Sequence, residues 1–282
     1  MERHYQISAR KTSIFSYLSV TSIIILINIL AFAVFSILIS TKLISIDFIA
    51  IKPANILAGN YIWTFIASMF MHADIAHLFF NMISLFFIGT FVEKIIGRKR
   101  YLSFYLFSGL IAGIFFVFLA YFLGTSTLAM KIFGDPNQFG VGASGAIFGL
   151  VGLLAILIPN KKVYLIAGPL IAIIIQAILD KLYPSNPALG VVSLLITLYI
   201  FVSLFSMFSF NEKTRRISLP LGLPFWLLPF VAIIPLVIIG IFVNLPIGNT
   251  AHFGGLLAGL IYGVYLRNKY KRKIRDLSRY FS

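Results

Sequence analysis

Three short polar runs carry side chains able to do acyl-transfer chemistry. The first is Gly140-Val141-Gly142-Ala143-Ser144-Gly145-Ala146-Ile147-Phe148-Gly149, a single hydroxyl among small residues. The second is Ala251-His252-Phe253-Gly254-Gly255. A serine becomes a nucleophile when an imidazole takes its proton and later returns it to the leaving group. The third is His72-Ala73-Asp74-Ile75-Ala76-His77-Leu78-Phe79-Phe80-Asn81. His77 and Asn81 are four apart, share one helix face, and could both donate hydrogen bonds to a developing oxyanion. Each run also has a plainer reading. Small residues let helices pack closely, a lone histidine is often a structural hydrogen-bonder, and His77 with Asn81 could simply join neighbouring helices. A metal site is disfavoured, because His72 and His77 are off a shared face and no His-Glu-x-x-His is present. No metal and no cofactor is expected.

These residues must be positioned by elements whose solvent is lipid. Of 282 residues, 60% are hydrophobic and 11% charged, with a mean hydropathy of +1.00. A soluble chain is about 45–50% apolar, so there is more apolar surface here than a soluble fold buries. A membrane helix needs about 20 mostly apolar residues. Eight runs qualify, at about 17–40, 75–96, 101–122, 143–159, 163–182, 188–208, 224–243 and 250–266. They are continuous rather than alternating, which disfavours strands. The first run is longer than the ~7–15 residues of a signal h-region and reads as an uncleaved span. The fold class is therefore an all-α polytopic membrane protein. Residues 1–16 form an N-terminal tail, 17–266 the membrane domain and 267–282 a basic C-terminal tail. The apolar 41–74 loop, with Trp63, Phe65, Met69 and Phe70, is expected at the membrane interface. Proline at 220, 224, 229 and 235 bends the seventh span.

Charge gives the orientation. With eight spans, 19 of the 23 Lys and Arg fall on the side of the termini; Lys42, Lys52, Lys131 and Lys181 fall on the other. The positive-inside rule then places both termini in the cytoplasm, in what is expected to be the plasma membrane. It also accounts for the net charge of +15 without a nucleic-acid partner, since the cations flank apolar spans rather than cover a folded face. Cysteine is absent, which removes thiolate nucleophiles and disulfides. Glu93 reads as structural beside Lys94 and Arg98, and Asp180 as solvated beside Lys181. No facing aspartates and no Gly-x-Gly-Asp occur, against an aspartyl intramembrane protease.

Depth joins the serine to the histidine. The fourth run is about 25 Å long at 1.5 Å per residue, short against a ~30 Å hydrocarbon core, so Ser144 lies below the outer surface. Gly145, Gly149 and Gly152 form a small-residue stripe beside it, and Ala251, Gly255, Gly259 and Gly263 form another beside His252. Both helices run inward. Packing the stripes together sets Ser144 and His252 at one level, the geometry that a Ser–His dyad requires.

Taken together, these motifs resemble the rhomboid intramembrane serine proteases. The residues that carry the resemblance are His77-Leu-Phe-Phe-Asn81, Gly142-Ala-Ser144-Gly145, Ala251-His252-Phe-Gly-Gly255-Leu-Leu-Ala-Gly259, and Val92-Glu93-Lys94 with Gly97. The resemblance covers about residues 60–160 and 245–266. It implies a core of six helices and cleavage of single-span membrane proteins without a cofactor. Ser144 would be the nucleophile, His252 the general base, and Asn81 and His77 with the Ser144 amide the oxyanion hole. Gly142, Gly145, Gly149, Gly255, Gly259 and Phe148 would pack around them. Three departures stand out. Trp63 is followed by Thr64 where Arg is common. Phe148 replaces a frequent Tyr, keeping a ring to stack on His252 but losing its hydroxyl. Three spans separate Ser144 from His252 where one is usual, so two are extra. The other readings are an inactive rhomboid-like protein that binds membrane clients, or a small-solute transporter with Asn81, Gln176 and Asp180 along its path.

Single cysteines introduced into this cysteine-free chain test the orientation. Residue 131 is expected to label from outside the cell and residue 214 only after permeabilisation. The reverse pattern would overturn the eight-span topology.

Overall fold

The computed structural model describes residues 18–183, 188–206, 211–242 and 248–281. The expected N-terminal tail with Arg3, Arg10 and Lys11 lies outside the described residues. Eight long helices follow the eight apolar runs: α1 Val20–Ser40, α2 Ile75–Ile96, α3 Arg98–Leu123, α4 Ser144–Leu157, α5 Ala167–Leu182, α6 Ala188–Ser206, α7 Leu228–Phe242 and α8 Asn249–Lys269. A shorter α9, Lys271–Phe281, continues from α8 after Tyr270. The chain is an integral membrane protein of the all-α polytopic class. By length and composition α1, α2 and α3 each suffice to cross a bilayer.

Helix ends in lipid must have their backbone donors satisfied within the protein. At α1 this falls to Ser19 and Glu93. The Ser19 hydroxyl accepts from the Ser22 amide at 3.0 Å. The Glu93 carboxylate, near the end of α2, accepts from the amides of Val20 and Thr21 at 2.9 Å each and from the Thr21 hydroxyl at 2.8 Å. An anion at a helix N-terminus also complements the helix dipole. Glu93 is buried, so its structural reading gains a specific partner: it clamps α1 to α2. Asp74 caps α2, its carboxylate accepting from the His77 amide at 2.8 Å. Five residues in the middle of α2, Leu85–Gly89, form a π-helical turn.

The core is built around α4. Eleven of its 14 residues are buried, and it packs along α8 on one side and α3 on another. The two small-residue stripes do meet. A Cβ on Gly255 would strike the Gly145 carbonyl, and one on Gly259 the Gly149 carbonyl. On the α3 side, a Cβ on Gly149 would lie 2.5 Å from Ser108 Cβ. The backbones of α4 and α8 thus touch where any side chain would hold them apart.

The three helices between α4 and α8 have different standings. α7 packs on α8, on α4 and on the short helix Thr127–Phe133, whereas α5 and α6 pack chiefly on each other and on the 211–218 turn. The core helix is therefore α7, and α5–α6 is the additional hairpin. It is closed at its base by an antiparallel ribbon of β1 Lys162–Ile166 and β2 Pro220–Pro224, with Lys162 opposite Pro224 and Ile166 opposite Pro220. The sequence predicts no strand, and spans beginning at 163 and 224. The ribbon takes the first residues of both. Its partners are distant in sequence and sit among continuous apolar residues, so no local alternation announces them.

The 41–74 loop folds back on the core. Ile51 and Gly140 form an isolated antiparallel bridge, and the Trp63 indole N–H donates to the Phe48 carbonyl at 2.8 Å. Thr64, at the position where arginine is common, is buried and donates to the Tyr61 carbonyl at 2.7 Å. The loop is thus anchored through the indole and a hydroxyl. Phe48, Ile62 and Trp63 remain exposed, suited to an interface.

Close backbone contact makes a quantitative expectation. Gly259→Leu should destabilise by about 3 kcal/mol or more, the upper range for overpacking. Gly190→Leu, where a Cβ meets nothing within 4 Å, should be near neutral. Thermal unfolding in detergent compares the two, and equal melting temperatures would contradict the α4–α8 contact.

Candidate active site

Ser144 is the first residue of α4 and His252 lies in the first turn of α8. Because the two helices are parallel and touch through glycine, both side chains reach the same level. The Ser144 Oγ and His252 Nε2 are 2.8 Å apart, within ordinary hydrogen-bond distance. The imidazole lies flat on Phe148, ring centroids 4.3 Å apart and planes inclined by 12°. Phe148 is one turn after Ser144, so α4 supplies both the hydroxyl and the surface that fixes the ring meeting it. His252 Nδ1 is buried, and among the described residues it has no hydrogen-bond partner. Among the described residues no carboxylate stands behind the imidazole.

α4 is 14 residues long, about 21 Å at 1.5 Å per residue. That is shorter than a ~30 Å hydrocarbon core, so its ends cannot both reach the membrane surfaces. A cavity of about 460 Å³ opens over its start, lined by Ser144, His252, His77, Asn81, Met69 and Phe116 among others. Polar groups converge on one wall. The Ala73 amide donates to His77 Nδ1 at 3.5 Å, which leaves the proton of a neutral ring on Nε2. That edge faces Gly142: a Cβ there would stand 2.9 Å from His77 Nε2 and 3.4 Å from Asn81 Nδ2. Asn81 Nδ2 is buried without a partner among the described residues. Gly142 has φ +124°, a region L-residues rarely adopt, and its amide donates to the Ser68 carbonyl at 2.8 Å. A side chain there would be strained and would fill the space before both donors.

The sequence-chosen residues thus gather as follows. Ser144, His252, His77, Asn81, Gly142, Gly145 and Phe148 all line the cavity, while Gly149, Gly255 and Gly259 bring its two helices together. Gln176 is on α5 and does not line it; the Asp180 side chain lies outside the described residues. His72 packs edge-on against His77 with centroids 5.1 Å apart, and burial, with His77 nearby, pushes its pKa down to about 3. It is neutral. Among the described residues no three His, Cys, Asp or Glu side chains come together as a metal site. Sequence reasoning missed the Ser68 carbonyl and the Met69 and Phe116 walls. These come from the 41–74 loop and α3, and only chain folding brings them to α4.

Fold and site together define a polytopic membrane protein with a hydroxyl–imidazole pair in a cavity at one end of its central helices. The family model for the Rhomboid domain matches residues 59–194 and 162–269, and the chain belongs to the rhomboid family. The two matches overlap over the ribbon strand β1 and α5, where the additional hairpin begins. It is 34% identical over 115 residues to Rhomboid protease GluP of Bacillus subtilis (strain 168), 40% of this chain and 20% of that protein. To Rhomboid protease AarA of Providencia stuartii it is 34% identical over 97 residues, 33% of each. To RHOMBOID-like protein 12, mitochondrial, of Arabidopsis thaliana it is 37% identical over 105 residues, 36% of this chain and 31% of that one. The chain thus spans a third or less of the length of these relatives.

Proposed function

We propose that this protein is an intramembrane serine endopeptidase using Ser144 and His252. The observation that carries the reading is the 2.8 Å approach of Ser144 Oγ to His252 Nε2 beside converging hydrogen-bond donors. Two relatives named as rhomboid proteases support it. In the first half-reaction Ser144 Oγ attacks the scissile carbonyl while its proton passes to His252 Nε2. The carbonyl oxygen becomes an anion, for which Asn81 NH₂, His77 Nε2–H and the Ser144 amide are donors in place beforehand. The imidazolium then protonates the amine as the C–N bond breaks, leaving an acyl-serine. Water repeats the sequence, with His252 as base, to release the acid and restore the hydroxyl.

The substrates are proposed to be single-span membrane proteins, and the residence the plasma membrane with both termini cytoplasmic. A peptide bond within a helix is shielded by its own backbone hydrogen bonds, so the substrate must unwind locally to reach Ser144. Entry is assigned beside α7. It contains Pro235, which removes one rung of the helix and eases bending, and it leads into the His252 turn. The inactive client-binding reading is disfavoured by the paired serine and histidine. The transporter reading is disfavoured by the separation of Gln176 from the cavity.

A serine-directed fluorophosphonate should label the wild-type protein and not Ser144→Ala. Either Ser144→Ala or His252→Ala should lower proteolysis on the order of 10⁴-fold, and the double variant little further, as for groups acting as one unit. Cleavage retained in Ser144→Ala would end the reading.

Asn81→Ala and His77→Ala should each lower kcat by about 10²–10³-fold, the usual loss for one oxyanion donor, with KM little changed and Asn81 the larger effect. Melting temperature measured alongside separates this role from packing. A fall in stability with kcat near wild type would make these residues structural.

A further inference from the structure

A second pocket lies at the opposite end of the two helices that hold Ser144 and His252. It measures about 360 Å³ and sits between the end of α4 and the junction of α8 with α9. Arg267 from the end of α8, and Lys271 and Arg275, one turn apart on α9, all line it. Its other wall is Ile156 and Leu157 from the end of α4, with Pro159 just after it. Within the described residues, the only ion pair within salt-bridge distance is Arg98 with Glu93, which leaves these three without a carboxylate. Three like charges around one hollow repel one another, and an anion seated among them relieves that.

The surroundings define which anion. On the surface of α8 that leads to the pocket, Ile261 and Val264 are 62% and 48% exposed. Ile261, Val264 and Asn268 follow one another at intervals of three and four residues on one face of α8, and Asn268 itself lines the pocket. Cations at the helix end thus continue into an apolar strip along the membrane part of the helix. A free phosphate would use the cations alone. A molecule with a phosphodiester head and acyl chains would use both. We propose that this pocket binds the headgroup of an anionic glycerophospholipid, its acyl chains lying along Ile261 and Val264. Basic pockets beside membrane helices are suited to such headgroups. The bound lipid would join the ends of α4 and α8, the helices that also set the distance between Ser144 and His252. The proposal is one of binding and holds whether or not the protein cleaves peptides.

Native mass spectrometry of the full-length protein in detergent tests it, with phosphatidylglycerol and phosphatidylcholine as the two probes. Phosphatidylglycerol should be retained about tenfold more than phosphatidylcholine, given favourable attraction at each cation. Arg267→Gln/Lys271→Gln/Arg275→Gln should abolish that preference. Lys213→Gln/Arg215→Gln/Arg216→Gln, which removes the same charge elsewhere, should keep it. Asn268→Trp fills the pocket with all cations retained, and should weaken retention as well. Equal loss in both triple variants would mean diffuse attraction and overturn the site. Displacement of the lipid by excess inorganic phosphate would identify a soluble-phosphate site and overturn the lipid assignment. Retention unchanged in both Asn268→Trp and the pocket triple variant would also overturn it.

Discussion

The contact on which the remaining geometry depends is between two backbones. Gly255 and Gly259 of α8 lie against the carbonyls of Gly145 and Gly149 of α4. Without a hydrophobic drive between helices in lipid, close approach gains through dispersion and backbone contact instead. The same approach fixes the rise of one helix against the other. Ser144 and His252 sit one residue and four residues into their helices. A parallel, glycine-spaced pair has little freedom to place them anywhere but together. Phe148 adds a flat surface from α4 on which the imidazole rests, so a single helix aligns both members of the pair.

A buried polar group in lipid is costly unless its hydrogen bonds are made. Glu93 shows how they are made at a helix end, accepting three hydrogen bonds from the start of α1. Among the described residues the Asn81 amide nitrogen is buried and unpartnered, as are His252 Nδ1, both His72 ring nitrogens and the Tyr101 and Tyr105 hydroxyls, but Asn81 stands before Gly142 in the cavity that holds Ser144. An unmet donor in a hollow beside a nucleophile is what an oxyanion stabiliser requires before reaction, since the charge it serves exists only in the transition state. Its place in the lining of the Ser144 cavity, together with the open donor, separates the proposed chemical role of Asn81 from the structural one of Glu93.

The additional α5–α6 hairpin leaves this arrangement undisturbed. Its strands β1 and β2 pair at its base, so the chain leaves the core after α4 and returns to it before α7 at neighbouring points. An insertion closed in this way adds two crossings, preserves the direction of every later helix, and keeps His252 at the end of α8 that faces Ser144. The parity of the insertion matters more to the site than its contents.

The eight helices and the three polar runs are legible along the chain without the fold. These are properties of unbroken apolar length, flanking charge and i,i+4 spacing, all local in the chain. Ser144, His252, His77 and Asn81 were legible because uncommon polar residues stand out in apolar helices and because the two glycine stripes share a period. The remaining features emerge only on packing. It shows which of three helices is the core one, since α5, α6 and α7 are alike in composition and differ only in what they touch. It shows the β1–β2 ribbon, whose two halves are remote in sequence. It gives Glu93 its partner on α1, Gly142 its Ser68 anchor, and the cavity its Met69 and Phe116 walls. Each of these joins residues far apart along the chain, and a one-dimensional pattern carries no distance between such residues until packing supplies it.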